Sequence, residues 1–188
     1  MKSLKIIILL CLLSSFFSTK MVAQKYFTKT STISFFSKTP VEDIEATSNT
    51  ATSVFDSETG KMQWAVLIKS FEFEKALMQE HFNENYMESS QFPKAQFKGS
   101  ITSTDQINLK VDGTYYAEVS GNLTIHGVTK SINAPVTFKV SNGNVQADCA
   151  LKLLVADYGI EIPSIVKNNI AKEIEIEIKA NYEILGNS

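Results

Sequence analysis

The sequence predicts an all-β protein of about eight antiparallel strands, closed into a barrel. Apolar and polar residues alternate with a period of two along several segments, which is typical of strands that bury one face. The turn dipeptide Asn142-Gly143 between two such segments indicates an antiparallel hairpin. The connections follow the order of the chain, and closure would remove the exposed edges of such a sheet. Periodicity alone fits a sandwich of two sheets equally well.

The alternation is clearest near the C-terminus, where "EIEIEIKANYEIL" places its isoleucines, Ala180 and Tyr182 on one face and mostly charged residues on the other. The same pattern predicts further strands at residues 145–155, 132–140, 115–125, 95–101 and 62–68, in "STISFFSK" and around Val54. Most of these strands therefore have one apolar face and one face in contact with water.

Two segments break the strand pattern and predict two short helices. The first, "FEFEKALMQEHFNENY", places Phe73, Leu77, His81 and Phe82 on one helical stripe with acidic residues opposite. The second, "PSIVKNNIAKEI", begins with Pro163, which the first turn of a helix tolerates.

Residues 1–23 predict a cleavable signal peptide, because two early lysines precede the apolar run "IIILLCLLSSFF" and the small-residue exit "MVA". No later stretch is long and apolar enough for a membrane span, so we expect no stable membrane insertion and a periplasmic or secreted protein. Residues 24–188 then form one domain. Removal of Cys11 with the signal leaves Cys149 alone, so no internal disulfide is expected.

The charge pattern argues against nucleic acid as a partner. The net charge is −2, and every positive side chain is a lysine, since the sequence contains no arginine. Recognition of phosphates and base edges relies heavily on the planar arginine guanidinium group.

The inward faces of the predicted barrel are apolar and contain many small residues: Ala95, Gly99, Ala117, Gly121, Ala134, Ala147, Cys149 and Ala180. Barrels of this size lie between a packed interior and one that holds a small ligand, so both readings stay open. A ligand, if present, is expected to be an apolar lipid, because a polar molecule would lose its hydration without compensation. Its predicted binding residues are Phe35, Trp64, Val66, Ile68, Phe97, Leu123, Phe138, Leu151, Leu153, Ile176 and Ile178.

No catalytic residue, metal site or cofactor is predicted, because the sequence lacks the motifs of nucleophilic, metal-dependent and phosphate-binding sites. His126 continues its strand on the outward parity, and Gly127 allows the chain to turn after it. An alternative is a barrel enzyme that uses His81, His126 or Asp157 as acid or base. A packed structural or adhesion barrel is a third reading, and a homodimer is left open.

Two segments carry a family resemblance. "GNLTIHGVTKSINAPVTF" resembles the signature of the YceI-like family of exported bacterial proteins, and "LMQEHFNENYMESSQFPKAQFKGSI" resembles that family's helix, loop and following strand. In the family, the position of His126 can also hold arginine. The family's usual tryptophan and histidine before the first strand are absent here, although Ser31, Ile33 and Phe35 are kept.

The resemblance implies a lipocalin-like, eight-stranded antiparallel barrel whose interior holds a long isoprenoid or similar lipid. The expected function is therefore the non-catalytic binding or carriage of an apolar lipid in the bacterial cell envelope. Isoprenoid, quinone-like and fatty-acyl chains are the expected ligand types, with no cofactor other than such a bound lipid.

Overall fold

The computed structural model describes residues 24–102, 104 and 107–185, so the predicted signal peptide lies outside the described residues. The described strands are β1 (Lys25–Lys38), β2 (Asp43–Asp56), β3 (Lys61–Leu67), β4 (Glu72–Phe73), β5 (Lys94–Thr102), β6 (Gly113–Ile125), β7 (Val128–Ser141), β8 (Asn144–Leu154) and β9 (Glu173–Ile184). One short α-helix, α1 (Ala76–His81), lies between β4 and β5.

The sheet closes into the predicted antiparallel barrel. Its strands follow the order β1-β9-β8-β7-β6-β5-β3-β2, and pairing between β1 and β2 closes the ring. The two-residue strand β4 pairs with β2 at one end and is not part of the ring. Apart from β4, which lies between β3 and β5 in the chain, strands that follow each other in the sequence are adjacent in the barrel. The sequential connections expected from the sequence are therefore confirmed.

Only part of the predicted helix content is present. α1 covers the middle of the first predicted helix and continues as a single π-helical turn, Phe82–Tyr86. Leu77, expected on the buried stripe, is 61% exposed. The second predicted helix was wrong, because after Pro163 the chain forms only the 3-10 turn Ser164–Val166. That segment is rich in β-branched residues and asparagine, which favour helices weakly, and short helices are marginal without strong propensity.

One end of the barrel is tightly packed with aromatic side chains. Tyr26 stacks on Phe55 with ring centroids 4.9 Å apart. Phe55 also contacts Phe138 at 5.6 Å and the edge of Tyr182 at 4.8 Å. These side chains fill the cross-section of the barrel, so this end is closed.

The other end is covered by chain segments that lie outside the barrel strands. The first cover segment, residues 68–93, contains β4, α1 and the π-helical turn. The second cover segment, residues 155–172, contains the 3-10 turns Val155–Tyr158 and Ser164–Val166. In the described part of the chain, no helix has the length and apolar character needed to cross a membrane.

The two tight hairpins have the backbone that their sequences predict. His126 and Gly127 join β6 to β7 with φ angles of 50° and 74°, and Asn142 and Gly143 join β7 to β8 with φ angles of 51° and 78°. Positive φ at both central residues is the geometry of a type I′ turn, which matches the twist of the strands. His126 therefore marks the end of a strand.

Candidate functional site: an apolar cavity in the barrel

A cavity of about 380 Å³ occupies the barrel between the packed end and the covered end. Small-molecule sites in proteins have volumes of about 300–1,000 Å³ and mostly apolar walls. The cavity is thus large enough for a ligand, and the reading of a fully packed barrel does not fit it.

The strand wall of the cavity consists mostly of the residues predicted from inward parity. The strand residues are Phe35, Trp64, Val66, Phe97, Leu123, Leu151, Leu153, Ile176 and Ile178. Ile68, predicted with them, lines the cavity from the 3-10 turn that follows β3. Among the predicted small inward residues, Ala95, Ala134, Ala147 and Cys149 also line the cavity. The small side chains leave space that larger ones would fill, which accounts for the position of the cavity.

Phe138, also predicted as a ligand-binding residue, does not line the cavity. Its side chain faces inward as expected, but it is fully buried in the packed end against Phe55. Parity gives the face of a strand on which a residue lies and gives no depth along the barrel axis. Phe138 belongs to the floor beneath the cavity.

An aromatic cluster from the first cover segment forms the part of the wall that the strand pattern missed. Phe71, Phe73 and Phe82 surround Phe35 of β1, with ring centroids 5.5, 5.8 and 5.3 Å from it. Met87 of the same segment lines the cavity beside them and is buried. The three phenylalanines in "SFEFEKALMQEHF" could have predicted that this segment packs against the apolar interior of the barrel.

The second cover segment contributes aliphatic side chains to the same cavity. Ile160, Ile162, Val166 and Ile170 all line it, although the segment has no strand or helix period. A loop that covers a cavity is expected to have irregularly spaced apolar residues between turns. Because a regular helix was predicted here, the contact of this segment with the cavity was missed.

Polar groups lie where the cavity approaches the surface, and this region is termed the mouth. His81 is exposed and also lines the cavity there. The Glu42 carboxylate, in the turn between β1 and β2, accepts a hydrogen bond of 3.1 Å from the Asn169 side-chain amide. The Lys75 ammonium lies 3.6 Å from the other oxygen of Glu42. Glu42 therefore connects both cover segments to the barrel at the mouth.

The buried polar groups in the cavity wall are few and uncharged. The Tyr182 hydroxyl and the Ser53 hydroxyl are 2.7 Å apart and share a hydrogen bond, and burial raises the pKa of Tyr182. Burial also raises the pKa of the Cys149 thiol to about 11. Cys149 is therefore protonated near neutral pH and behaves as a small hydrophobe.

The residues of the alternative catalytic reading lie at separate positions. His126 is held by Glu88 and by the Tyr158 carbonyl. Asp157 is exposed on the 3-10 turn after β8. His81 is at the mouth and is exposed. The cavity is lined mostly by apolar side chains, and its polar lining residues include Ser37, Gln96, Cys149, Tyr158 and Tyr182.

The closed meander barrel with an apolar cavity defines a small hollow barrel of the lipocalin-like class. The sequence matches the model of the YceI-like domain family over residues 24–182. The chain therefore belongs to the YceI-like domain family. No curated protein shows significant similarity to it.

Solved structures of related proteins share the fold at low sequence identity. A polyisoprenoid binding domain from Saccharophagus degradans, implicated in plant cell wall breakdown, superposes with a TM-score of 0.75 at 16% identity, covering 87% of this chain and 99% of that domain. BcnA of Burkholderia cenocepacia gives 0.67 at 19% identity, covering 81% and 96%. A YceI protein of Campylobacter jejuni gives 0.54 at 17% identity, covering 71% and 80%. At these identities the likeness establishes the fold.

Proposed function

We propose that this protein binds and carries an apolar lipid inside the barrel and does not catalyse a reaction on it. The observation that carries the proposal is the cavity of about 380 Å³, walled almost entirely by apolar side chains. Burying a hydrocarbon chain there is favourable by about 0.8 kcal/mol for each methylene group. A charged or strongly polar molecule would find few partners below the mouth.

The proposed ligand is an isoprenoid, quinone-like or fatty-acyl chain. The description of the Saccharophagus degradans domain as polyisoprenoid binding supports the isoprenoid type. Leu151, Ile176 and Ile178 line the cavity with branched aliphatic groups. The aromatic cluster around Phe35 adjoins them, since Phe35 pairs with Ile176 across β1 and β9. Both surfaces suit a flexible hydrocarbon chain, whose polar end would lie at the mouth near Glu42 and His81.

A role as a carrier also agrees with the proposed location in the bacterial cell envelope. The predicted signal peptide at residues 1–23 would export the chain. An apolar lipid in an aqueous compartment needs shielding from water, and a closed barrel provides it. Export and a hollow interior therefore support the same function.

Titration of the purified protein with farnesol and with oleic acid tests the proposal through the emission of Trp64. This residue is the only tryptophan in the sequence and lines the cavity. Binding replaces water or empty space beside the indole ring, so emission should shift or be quenched with saturation. Glucose at matched concentrations is the control and should leave emission unchanged. No saturable change with any prenyl or fatty-acyl probe would contradict the proposal.

A further inference from the structure

His126 is turned back onto the covered end of the barrel, although the parity of its strand predicted an outward side chain. The left-handed φ of 50° at this residue redirects the side chain. The imidazole ring is only 13% exposed and packs against the edge of Phe92, with ring centroids 4.6 Å apart. The residue therefore fills a defined position between the turn and the cover segments.

The ring contacts both cover segments at once. Its Nε2 atom lies 2.9 Å from the Glu88 carboxylate oxygen Oε2, and its Nδ1 atom lies 3.3 Å from the Tyr158 carbonyl oxygen. Glu88 directly follows Met87 of the cavity wall in the first cover segment. Tyr158 belongs to the second cover segment and lines the cavity itself. His126 thus joins the two cover segments beside the turn between β6 and β7, as Glu42 does at the mouth.

Both partners of the ring are acceptors, since an ionised carboxylate and a carbonyl have no hydrogen to donate. A neutral imidazole has one N–H group and can satisfy one of them, whereas the imidazolium ion has two and satisfies both. With a neutral ring, one nitrogen lone pair would face an oxygen. We propose that His126 is a proton-dependent latch that joins the two cover segments when its ring is charged and releases one of them when it is neutral.

The groups that surround the ring are consistent with control by its own protonation. Glu88 is the ionisable side chain in contact with it, and its side chain is 51% exposed, so it can swing into solvent. Phe92 and Gly159, the other neighbours, carry no charge. In the second cover segment, Asp157 is exposed. The pKa of the Tyr158 phenol is raised, mainly by burial and to a lesser extent by the negative charge of Asp157. That phenol stays neutral where histidines titrate.

The sign of the pH effect follows from these contacts. Histidine side chains change charge between about pH 5 and pH 8. The latch is closed on the acid side of this range, and rising pH removes one of its two hydrogen bonds. Separation of the two cover segments is a property of the chain alone. Only the effect of this separation on ligand release depends on the proposed function.

Amide hydrogen exchange tests the latch at residues 82–92 and 155–160. The rates are expressed as protection factors, which removes the intrinsic effect of pH on exchange. In the natural protein, protection should fall roughly tenfold between about pH 5.5 and pH 8.5, the size expected for loss of a charge-assisted hydrogen bond. His126→Arg retains two donors at every pH and should keep protection high at both values. His126→Phe has no donor and should be poorly protected at both. Lys130→Gln, a control that removes an exposed charge from the same hairpin, should behave like the natural protein.

Equal protection at both pH values in the natural protein would overturn the latch, as would a Lys130→Gln variant that loses the pH effect. Glu88→Gln provides a second check, because a side-chain amide can donate to or accept from a neutral ring and should flatten the pH dependence. Release of bound farnesol, followed by Trp64 emission, should be faster at the higher pH and independent of pH in His126→Arg. If farnesol does not bind while the exchange pattern holds, the latch stands and the proposed ligand class fails.

Discussion

Replacing Cys149 by phenylalanine should reduce lipid affinity without unfolding the barrel. Cys149 is in the middle of β8, opposite Val136 on β7 and Ile178 on β9, and its thiol faces the cavity. A phenyl ring at this position would project into space that the ligand is proposed to occupy. The change therefore competes with the ligand directly.

The size of the effect follows from the displaced hydrocarbon. A phenyl ring in place of a thiol adds about five non-hydrogen atoms, so a bound chain must withdraw roughly five methylene-sized groups at about 0.8 kcal/mol each. Part of this loss is recovered because the withdrawn groups still contact the apolar mouth. We expect a cost of about 2–4 kcal/mol, which raises Kd roughly 30- to 1,000-fold.

Ala150→Phe is the matched control, since Ala150 is the next residue on the same strand and is exposed on the outer face. Binding of farnesol and oleic acid is measured by Trp64 emission and by calorimetry in both variants. Affinity should fall in Cys149→Phe and stay unchanged in Ala150→Phe. Equal affinities in the two variants would show that the ligand does not enter the cavity. A loss of about 1–3 kcal/mol of unfolding free energy in Cys149→Phe alone would show overpacking, and hence that the space is not available.

Three further predictions concern the barrel itself. Gly121→Ala should lower the free energy of unfolding by about 1–3 kcal/mol in denaturant titration, because the added Cβ would lie 2.5 Å from the Lys98 carbonyl oxygen; unchanged stability would contradict the close approach of these strands. Tyr182→Phe should cost about 1–2 kcal/mol by leaving the buried Ser53 hydroxyl without its partner, and the double variant with Ser53→Ala should recover part of that cost. Burial raises the pKa of Cys149 to about 11, so the neutral thiol stabilises the folded state below the pKa of the unfolded thiol, and this contribution is lost as pH rises toward 11. Above about pH 8.5, the free energy of unfolding of the natural protein should therefore fall more steeply than that of Cys149→Ala, by on the order of 2 kcal/mol.

The strand wall of the site could be predicted because parity is a local property. Alternation in the segments that became β8 and β9 identified Leu151, Leu153, Ile176 and Ile178 as inward residues, and all of them line the cavity. Depth along the axis could not be predicted in this way, because it depends on which side chains from other strands fill each level. Phe138 shows this limit, since its inward position was correct and its level in the barrel was not.

The cover of the cavity could not be predicted from periodicity, because loops that fold over a barrel follow no fixed period. Val166 and Ile170 line the cavity from the segment predicted as a helix opening at Pro163, and Ile160 lines it from just before that segment. The orientation of His126 depended on one backbone angle, which reversed the direction given by strand parity. These features arise from tertiary contacts that no single segment encodes.

Native mass spectrometry of the protein purified from its own host tests whether the barrel carries a lipid. We expect the protein to carry an additional mass, and we expect organic extraction to remove this mass and to yield a prenyl or fatty-acyl lipid. A ligand-free spectrum from the host, together with no saturable uptake of farnesol or oleic acid by the purified protein, would contradict this expectation.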